Sequence, residues 1–318
     1  MNFDPDISVV MSVYNGAIHL KDTCESVLSQ EGVNLEFIIV NDGSTDTSGE
    51  ILRQYASHDS RVIVIENHNQ GLTLSLIQGC LKARGRYIAR QDVGDTSQAE
   101  RLRLQQAALD QFPQTSFVSS WTHYVGPDWE HLFTVKSAGK AKEPTNILPV
   151  TPDNKFIDGP THHGSVMFRR DAYLKIGGYR GVFYFAQDFD LWLRLAEIGM
   201  FQILEMPLYL ARITPSSLSS SNKETQEAFG KLAWDAFRAR KSGASEQSIL
   251  EQASMLRPQR DKRQSSYRQS RGYYFIGETL RRNNDDRAVS YLSRAVKEFP
   301  FSVKPWLRLA QARLRKSS

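Results

Sequence analysis

The chain has 318 residues, of which 40% are hydrophobic and 24% are charged, and its formal net charge is +5. This length can bury a core in one large domain plus an appendage. Its longest apolar runs span only a few residues, whereas a membrane-spanning helix needs roughly 20, so no such helix is expected. The first residues, MNFDPD, do not fit a secretory signal, and the two cysteines predict no disulfide framework. We therefore expect a cytoplasmic globular protein.

The basic residues are concentrated in the last third of the chain. Residues 1–209 hold 18 Lys and Arg against 25 Asp and Glu, a net charge of −7, whereas residues 210–318 hold 22 against 10, a net charge of +12. Such a block is usually a solvated surface, but it can also attract anionic lipid or nucleic acid. No zinc-finger spacing or RNP-like strand is present, so nucleic acid is not an expected partner. An anionic membrane surface is the partner that this block favours.

Short apolar runs alternate with amphipathic segments through the first 90 residues. The run Leu35–Val40, apolar apart from Glu36, is typical of a strand covered on both faces of a parallel sheet. This alternation predicts parallel strands joined by right-handed helical crossovers. The predicted strands are Ile7–Tyr14, Leu35–Val40, Arg61–Ile65 and Tyr87–Ala89, and a helix follows each of the first three.

Regular elements are sparser after residue 90. Residues 121–160 have no clear period and are interpreted as a long loop region with short strands, and long irregular segments are often functional. Further elements are predicted as helices at 99–112 and from Gln187 onward, and as closing strands at 201–204 and 208–211 around Pro207.

The sequence changes character at Thr214. A Ser-rich stretch, PSSLSSSN, leads into segments with helical periodicity. We therefore predict a main domain at residues 1–213 and a basic helical extension at residues 214–318. Within the extension, Ala288, Leu292 and Ala295 fall at the spacing of the second helix of a tetratricopeptide repeat. An isolated repeat cannot bury its own apolar face, so these helices should pack on the main domain or on a partner.

Two acids, Asp92 and Asp95, follow the fourth predicted strand in the stretch GRYIARQDVGD. An open α/β sheet binds ligands at the carboxyl ends of its strands. No G-x-G-x-x-G fingerprint opens the first helix, so a diphosphate would lack a glycine-rich cradle. A Mg²⁺ or Mn²⁺ ion held by these carboxylates is the other route, because both ions favour oxygen ligands. Taken alone, the stretch favours a simpler interpretation, in which Asp92 ends the strand and Asp95 or Thr96 caps the next helix.

Six segments together resemble, in order and spacing, the motifs of the family 2 glycosyltransferases, which have the GT-A fold. The resemblance covers about residues 7–212 and implies a Rossmann-like α/β domain with a mostly parallel central sheet and flanking helices. It implies an inverting transfer of a sugar from a nucleotide-sugar donor, with a UDP-sugar favoured, to a glycan or lipid-linked acceptor in cell-surface polysaccharide assembly. The segments are Val9–Gly16, Val40–Asp46, Asn69–Gly79, Gly85–Asp95, His163–Arg169 and Gln187–Leu195.

The resemblance implies that the first two motifs hold the donor nucleotide. Ser12, Tyr14 and Asn15 would contact the base and ribose together with Asp42, whose carboxylate can accept hydrogen bonds from ribose hydroxyls. The alternative for Asp42 is an Asp-Gly turn stabilised by its own side chain. His163 lies in the segment that the family places near the diphosphate, so it is expected to contact a donor phosphate or the acceptor. Because neighbouring side chains on an extended chain alternate faces, only one of His162 and His163 is expected to point inward.

Two motifs depart from the family pattern. The family usually has Asp-x-Asp-Asp where this chain has Asp-Val-Gly-Asp, so Gly94 replaces an acid. We expect Asp95 and Asp92 to hold Mg²⁺ or Mn²⁺ more weakly for that reason, with Asp92 also beside the donor diphosphate.

The family commonly has Glu-Asp where this chain has Gln187-Asp188. Asp188 is still the expected catalytic base, because an inverting displacement needs a carboxylate to remove the acceptor proton. The alternative for Asp188 is an acid that complements a helix dipole. A second hypothesis for the whole chain is a non-catalytic scaffold that binds sugar nucleotides and uses its helical extension as an interaction module.

Overall fold

The computed structural model describes residues 4–136, 159–216, 223–256 and 266–316. The predicted loop at 121–160 and the Ser-rich stretch therefore lie partly outside the described residues. The strands are β1 (Ile7–Val13), β2 (Leu35–Asp42), β3 (Val62–Asn67), β4 (Tyr87–Arg90), β5 (Thr96–Ser97), β6 (Thr115–Val125), β7 (His131–Val135), β8 (Met167–Arg169) and β9 (Met200–Arg212). The helices are α1 (Ala17–Leu28), α2 (Ser48–His58), α3 (Leu72–Lys82), α4 (Arg101–Gln111), α5 (Arg170–Lys175), α6 (Gln187–Ile198), α7 (Lys223–Lys241), α8 (Gln247–Met255), α9 (Ser266–Arg282), α10 (Ala288–Glu298) and α11 (Val303–Lys316).

The first four strands are parallel, as the alternating pattern predicts. β1 pairs with β2 on one side and with β4 on the other, and β3 extends the sheet beyond β2. Later strands continue the sheet in the order β3-β2-β1-β4-β8-β6-β9-β5, and β8 runs antiparallel to β4. Because the chain moves to opposite sides of β1 through β2 and β4, the carboxyl end of β1 faces a crevice of the kind that binds ligands in open α/β sheets.

The buried charge in β2 has local partners. Glu36 is fully buried, and its carboxylate accepts hydrogen bonds from the Ser8 hydroxyl at 2.6 Å and from the Arg84 guanidinium at 2.7 Å. A buried acid is tolerated only when it is paired in this way. Glu36 therefore belongs to the packing of the sheet and not to the crevice.

The end of the sheet differs from its prediction. The two closing strands expected around Pro207 are one strand, β9, which continues through that proline. Proline lacks a backbone N–H but is tolerated in a strand where that donor is not needed.

The described residues form two compact units. The first holds β1–β5, β8, α1–α8 and most of β6 and β9; the second holds nearly all of β7, the ends of β6 and β9, and α9–α11. In the first unit Phe229 of α7 packs on Phe183, and Glu246 is bonded to Arg180 at 2.6 Å. The division of the chain at residue 213 into a catalytic domain and an extension stays a prediction.

The second unit contains α9, α10 and α11, which lie in the part of the chain predicted to be helical. Ala288, Leu292 and Ala295 are buried, and a side chain added at Gly277 would meet Leu292 at 2.8 Å, so α9 and α10 pack closely. Leu292 also packs in one cluster with Leu309 of α11. Across the described residues, no helix has the length and apolar content needed to cross a membrane.

Candidate active site

Asp92 lies just past the end of β4, between two basic side chains. Its Oδ1 accepts a hydrogen bond from Arg90 Nη2 at 2.8 Å, and its Oδ2 lies 2.8 Å from His163 Nε2. Burial raises the pKa of Asp92, but the charges of His163 and Arg90 outweigh it and hold that pKa well below its usual range. Asp92 is therefore an anion held between two cations.

Both histidines of the pair turn toward Asp92, so the expectation that only one points inward is wrong. His163–Ser165 forms a single 3₁₀ turn, which breaks the alternation of an extended chain. The two imidazole rings lie 4.0 Å apart, and ligand atoms of Asp92, His162 and His163 lie within 4.8 Å of one another. These three residues form a cluster that could hold a metal ion.

The two histidines carry different charges. Burial lowers the pKa of His163, but the neighbouring Asp92 raises it to a net value of about 9. Burial and the His163 charge both lower the pKa of His162, so this ring is neutral at pH 7. His162 Nδ1 accepts the Gly164 N–H at 3.1 Å. Metal ions bind neutral imidazole, so an ion at this cluster would have to displace the proton of His163.

Asp95 is anchored to the last strand of the sheet. Its Oδ2 accepts a hydrogen bond from the Tyr209 hydroxyl at 2.9 Å, and the same hydroxyl accepts the Asp92 N–H at 3.2 Å. Tyr209 is fully buried, and the Arg101 guanidinium lies 4.9 Å from its ring centre. His162 Nδ1 is 3.9 Å from the same Asp95 oxygen. The assignment of Asp95 and Asp92 as the metal ligands stays a prediction.

The backbone at Gly94, where the family motif has its middle acid, disfavours any residue other than glycine. Gly94 has a φ of +98°, a left-handed conformation that costs other residues steric strain. Its N–H donates to the Thr23 hydroxyl of α1 at 3.0 Å, which fixes the turn. A side chain would find space there, since the nearest contact is His19 at 3.8 Å. The obstacle to an acid at this position is therefore the backbone and not the packing.

The first predicted nucleotide segment lies at the carboxyl end of β1. Asn15 has a φ of +52°, and its Oδ1 accepts the Thr45 N–H at 2.8 Å, which joins this loop to the loop after β2. Ser12 is partly buried at the end of β1, whereas Tyr14 is 51% exposed. Tyr14 and Asn15 are thus the exposed residues of this segment, and their contact with a nucleotide stays a prediction.

Asp42 ends β2 and is already engaged. Its two carboxylate oxygens accept the N–H groups of Gln70 and Gly71, each at 2.9 Å, and the residue is only 2% exposed. These bonds hold the loop that begins α3. The Asp42 carboxylate therefore bonds to a loop distant in sequence and not to its own Asp-Gly turn. The ribose contact of Asp42 stays a prediction.

Asp188 lies in the first turn of α6 and has a hydrogen bond on each oxygen. The buried Tyr179 hydroxyl donates to Oδ1 at 2.8 Å, and the amide of Gln187 donates to Oδ2 at 3.1 Å. Ala186 precedes the helix with a φ of +56°, so the chain enters α6 through a strained conformation. The neutral Gln187 thus supplies a donor where a glutamate would supply a second negative charge.

The neighbouring Asp190 has another environment. It is fully buried, and its Oδ2 accepts hydrogen bonds from Arg194 at 2.6 Å and 3.0 Å. Arg180 Nη1 lies 3.6 Å from its other oxygen. Asp190 is therefore paired with arginines, whereas the hydrogen bonds to Asp188 come from neutral groups.

Arg90 connects the two sides of the site. Its guanidinium is 1% exposed, and within the described residues its Nε and Nη1 atoms have no hydrogen-bond partner. Burial lowers the pKa of Arg90, but Asp92, Tyr179 and Asp188 raise it well above its usual range. The carboxylates of Asp92 and Asp188 thus act on one buried cation.

Sequence reasoning missed Arg90, Tyr179, Tyr209 and the role of His162. A basic residue two positions before Asp92 at a strand end could have indicated Arg90. Tyr179 follows Gly177-Gly178, whose left-handed φ values of +78° and +68° turn the chain sharply, and this pair was a visible signal. Tyr209 is separated from Asp92 by 117 positions, and no local pattern joins them.

A parallel sheet with acids beyond β4 and a carboxylate at the start of α6 defines a nucleotide-sugar-binding domain of the GT-A type. The sequence matches the family described as Glycosyl transferase family 2 over residues 8–177. The chain belongs to this family.

Two relatives and one solved structure illustrate the likeness. A protein named as glycosyltransferase EpsE of Bacillus subtilis strain 168 is 37% identical over 205 residues, which cover 63% of this chain and 69% of EpsE. TuaG of the same strain, named for teichuronic acid biosynthesis, is 35% identical over 124 residues, or 39% of this chain and 48% of TuaG. The crystal structure of S. aureus TarS 1-349 in complex with UDP-GlcNAc has a similar fold, with a TM-score of 0.52 and 13% identity over 98% of this chain and 92% of that one.

These matches confirm the GT-A fold class and the family expected from the motifs. The chain is a nucleotide-sugar-dependent glycosyltransferase. The hypothesis of a non-catalytic scaffold is not favoured, because the matched relatives are named as glycosyltransferases.

Proposed function

We propose that this glycosyltransferase works with inversion and that Asp188 is its catalytic base. Asp188 would take the proton of the acceptor hydroxyl while that oxygen bonds to the anomeric carbon of the donor sugar and the bond from that carbon to the diphosphate oxygen breaks. The electron pair leaves with the nucleoside diphosphate. The observation that carries this proposal is the setting of Asp188, which accepts a hydrogen bond from a neutral donor on each oxygen.

The donor is proposed to be a UDP-sugar. Ser12, Tyr14, Asn15 and Asp42 would hold its nucleotide, and Asp92 and His163 would lie at its diphosphate. TarS, a chain of similar fold, was crystallised with UDP-GlcNAc, and that complex supports uridine as the nucleoside of the donor. In a site without a metal ion, His163 would contact the diphosphate as an imidazolium, because a cation can donate a hydrogen bond to a phosphate oxygen; it would give up this contact when, as a neutral ring, it binds an ion.

A divalent cation is proposed at the donor diphosphate, where it would offset the charge of the leaving group. Asp92, His162 and His163 would hold it, with Asp95 next to them; ligand atoms of the first three lie within reach of a single ion. Of the two expected ions, Mn²⁺ suits this set better, since Mg²⁺ favours ligand sets made of oxygen. His163 must lose its proton to serve as a ligand, which would weaken metal binding at neutral pH.

The acceptor is proposed to be a glycan or lipid-linked saccharide in cell-surface polysaccharide assembly. The relative TuaG, named for teichuronic acid biosynthesis, supports this. We further propose that the protein works in the cytoplasm at the inner face of the membrane, with its basic helices on anionic lipid. The net charge of +12 on residues 210–318 supports that contact.

A panel of nucleotide sugars tests the donor. Thermal unfolding of the full chain would be followed with UDP-, GDP- and TDP-sugars, each with and without Mn²⁺. A ligand that binds the native state raises the melting temperature by mass action, so we expect a rise with UDP-sugars that Mn²⁺ increases. Release of UDP would then be measured with the best donor and candidate acceptors. A chain that gives no shift and no release with any donor contradicts the proposal.

A further inference from the structure

The last helix of the second unit exposes four large apolar side chains. On α11, Val303 is 78% exposed, Trp306 51%, Leu307 54% and Leu314 74%. Large exposed apolar patches on a folded protein mark interaction sites. We call these four residues, together with the exposed Ala310, the α11 stripe.

The α11 stripe lies along one face of the helix. Positions 303, 307, 310 and 314 repeat at steps of three and four, so their side chains stand one above another, and Trp306 lies beside them. The opposite face is used for packing, because Pro305, Leu309 and Ala312 are buried. The stripe is therefore a second apolar face that points away from the fold.

Basic residues flank this stripe on both sides. At 100° per residue, Lys304, Arg308 and Arg315 fall along one edge, and Arg313 falls along the other beside Trp306. The 14 residues of α11, VKPWLRLAQARLRK, contain five Lys and Arg and no acid. An apolar stripe edged by cations, with an aromatic ring at its border, is the pattern of helices that lie in the interface of a membrane.

We propose that the α11 stripe inserts into the interface of an anionic phospholipid membrane. The inference rests on the proposed contact between the basic helices and a membrane, and it assigns that contact to one helix. A second copy of the chain fits less well, because two helices with five cations each would repel one another. Lipid with anionic headgroups accommodates both features, since apolar side chains enter the acyl boundary while Lys and Arg stay with the headgroups.

Insertion of the α11 stripe predicts membrane binding that is only partly sensitive to salt, unlike binding by charge alone. Electrostatic attraction to anionic lipid weakens as salt screens it, whereas burial of Trp306 and the leucines does not. We expect the full chain to bind vesicles containing phosphatidylglycerol at low salt and to retain part of that binding at high salt. We also expect the tryptophan emission of the chain to shift to the blue on binding, because Trp306 enters the membrane. The shift should be smaller in Trp306→Phe, which lacks that ring.

The test compares two double variants of the full chain by vesicle sedimentation. Leu307→Ser with Leu314→Ser removes both leucines of the stripe, and we expect binding that is weaker by about tenfold or more. The matched control, Leu81→Ser with Leu174→Ser, changes two exposed leucines of the first unit, which are 66% and 47% exposed, and should bind as the wild type does. UDP release from a soluble acceptor assay should be unchanged in both variants.

Three results would overturn the inference. If the stripe variant binds as the wild type does, the membrane contact lies elsewhere. If the wild type binds no anionic vesicle at low salt, the membrane contact itself is wrong, while the glycosyltransferase activity still stands or falls on UDP release. If light scattering shows a dimer that the stripe variant loses, the stripe is covered by a second copy.

Discussion

The donor side and the base side of this site each present two acids, and the pairs are held differently. On the donor side Asp92 lies between the cations Arg90 and His163. On the base side Asp188 accepts hydrogen bonds from two neutral groups, Tyr179 and Gln187. A carboxylate between cations resists protonation. The environments therefore suit a place beside a cation or diphosphate for Asp92 and a base for Asp188.

The second acid of each pair anchors the fold. Asp95 is bonded to the buried Tyr209, and Asp190 to the buried Arg194. On each side of the site, one acid thus has a proposed chemical role, Asp92 or Asp188, and the other has a proposed structural role, Asp95 or Asp190. Substitutions that remove charge while keeping size can test that separation.

The largest effect is expected for Asp188→Asn. Without a base the transfer rate should fall by about 10² to 10⁴-fold, because general base catalysis contributes on that order. The asparagine can still accept a hydrogen bond from Tyr179, so donor affinity and melting temperature should stay close to wild type. Steady-state transfer and donor titration check this. A variant that transfers sugar at the wild-type rate excludes Asp188 as the base.

Asp190→Asn should affect stability and leave the chemistry in place. It leaves Arg194, which is 3% exposed, without its countercharge, and breaking a buried ion pair costs about 3–5 kcal/mol. Urea unfolding compares this variant with Asp188→Asn, its matched control two positions away. Equal urea midpoints for the two variants would contradict a structural role that belongs to Asp190 and not to Asp188.

Gly94→Asp restores the acid of the family motif and should lower the stability of the fold. A residue other than glycine at a φ of +98° costs about 1–3 kcal/mol. We expect a lower unfolding midpoint than in Gly94→Asn, since asparagine tolerates left-handed conformations better. If Gly94→Asp is as stable as the wild type, the turn can change its backbone and the strain argument is wrong.

A smaller effect is expected from pH. The pKa of His163 is raised from 6.5 to about 9, so its pairing with Asp92 stabilises the fold fully below about pH 6.5 and loses that contribution as pH rises through 9. The Asp92 pKa is lowered from 3.8, so its contribution is present above that pH and is lost under acid conditions. Unfolding midpoints of the wild type and His163→Gln should converge between pH 7 and pH 10. Parallel curves would show that the pair does not form.

Sequence patterns predicted the part of the fold that local order determines. The apolar runs of the first four strands end at polar clusters, and their parallel pairing brings Asn15, Asp42 and Asp92 to one edge of the sheet. The same patterns could predict that acids lie there, because strand ends and turns leave local signals.

The partners of those acids could not be predicted in this way. His162 turns inward because of a 3₁₀ turn, and Tyr209 reaches Asp95 across 114 positions of sequence. Such contacts depend on the antiparallel strands β8 and β9, whose places in the sheet no periodicity fixes. Sequence therefore located the acids, and only the tertiary structure separated Asp92 from Asp95.

The most direct test of that separation is calorimetric titration of Mn²⁺ into the full chain with UDP present. The account predicts that Asp92→Asn loses Mn²⁺ binding, whereas Asp95→Asn binds Mn²⁺ within severalfold of the wild type and unfolds at a lower temperature because its anchor to Tyr209 is weakened. Both variants would first be shown to be folded by circular dichroism. Retained Mn²⁺ binding in Asp92→Asn together with its loss in Asp95→Asn would contradict the account.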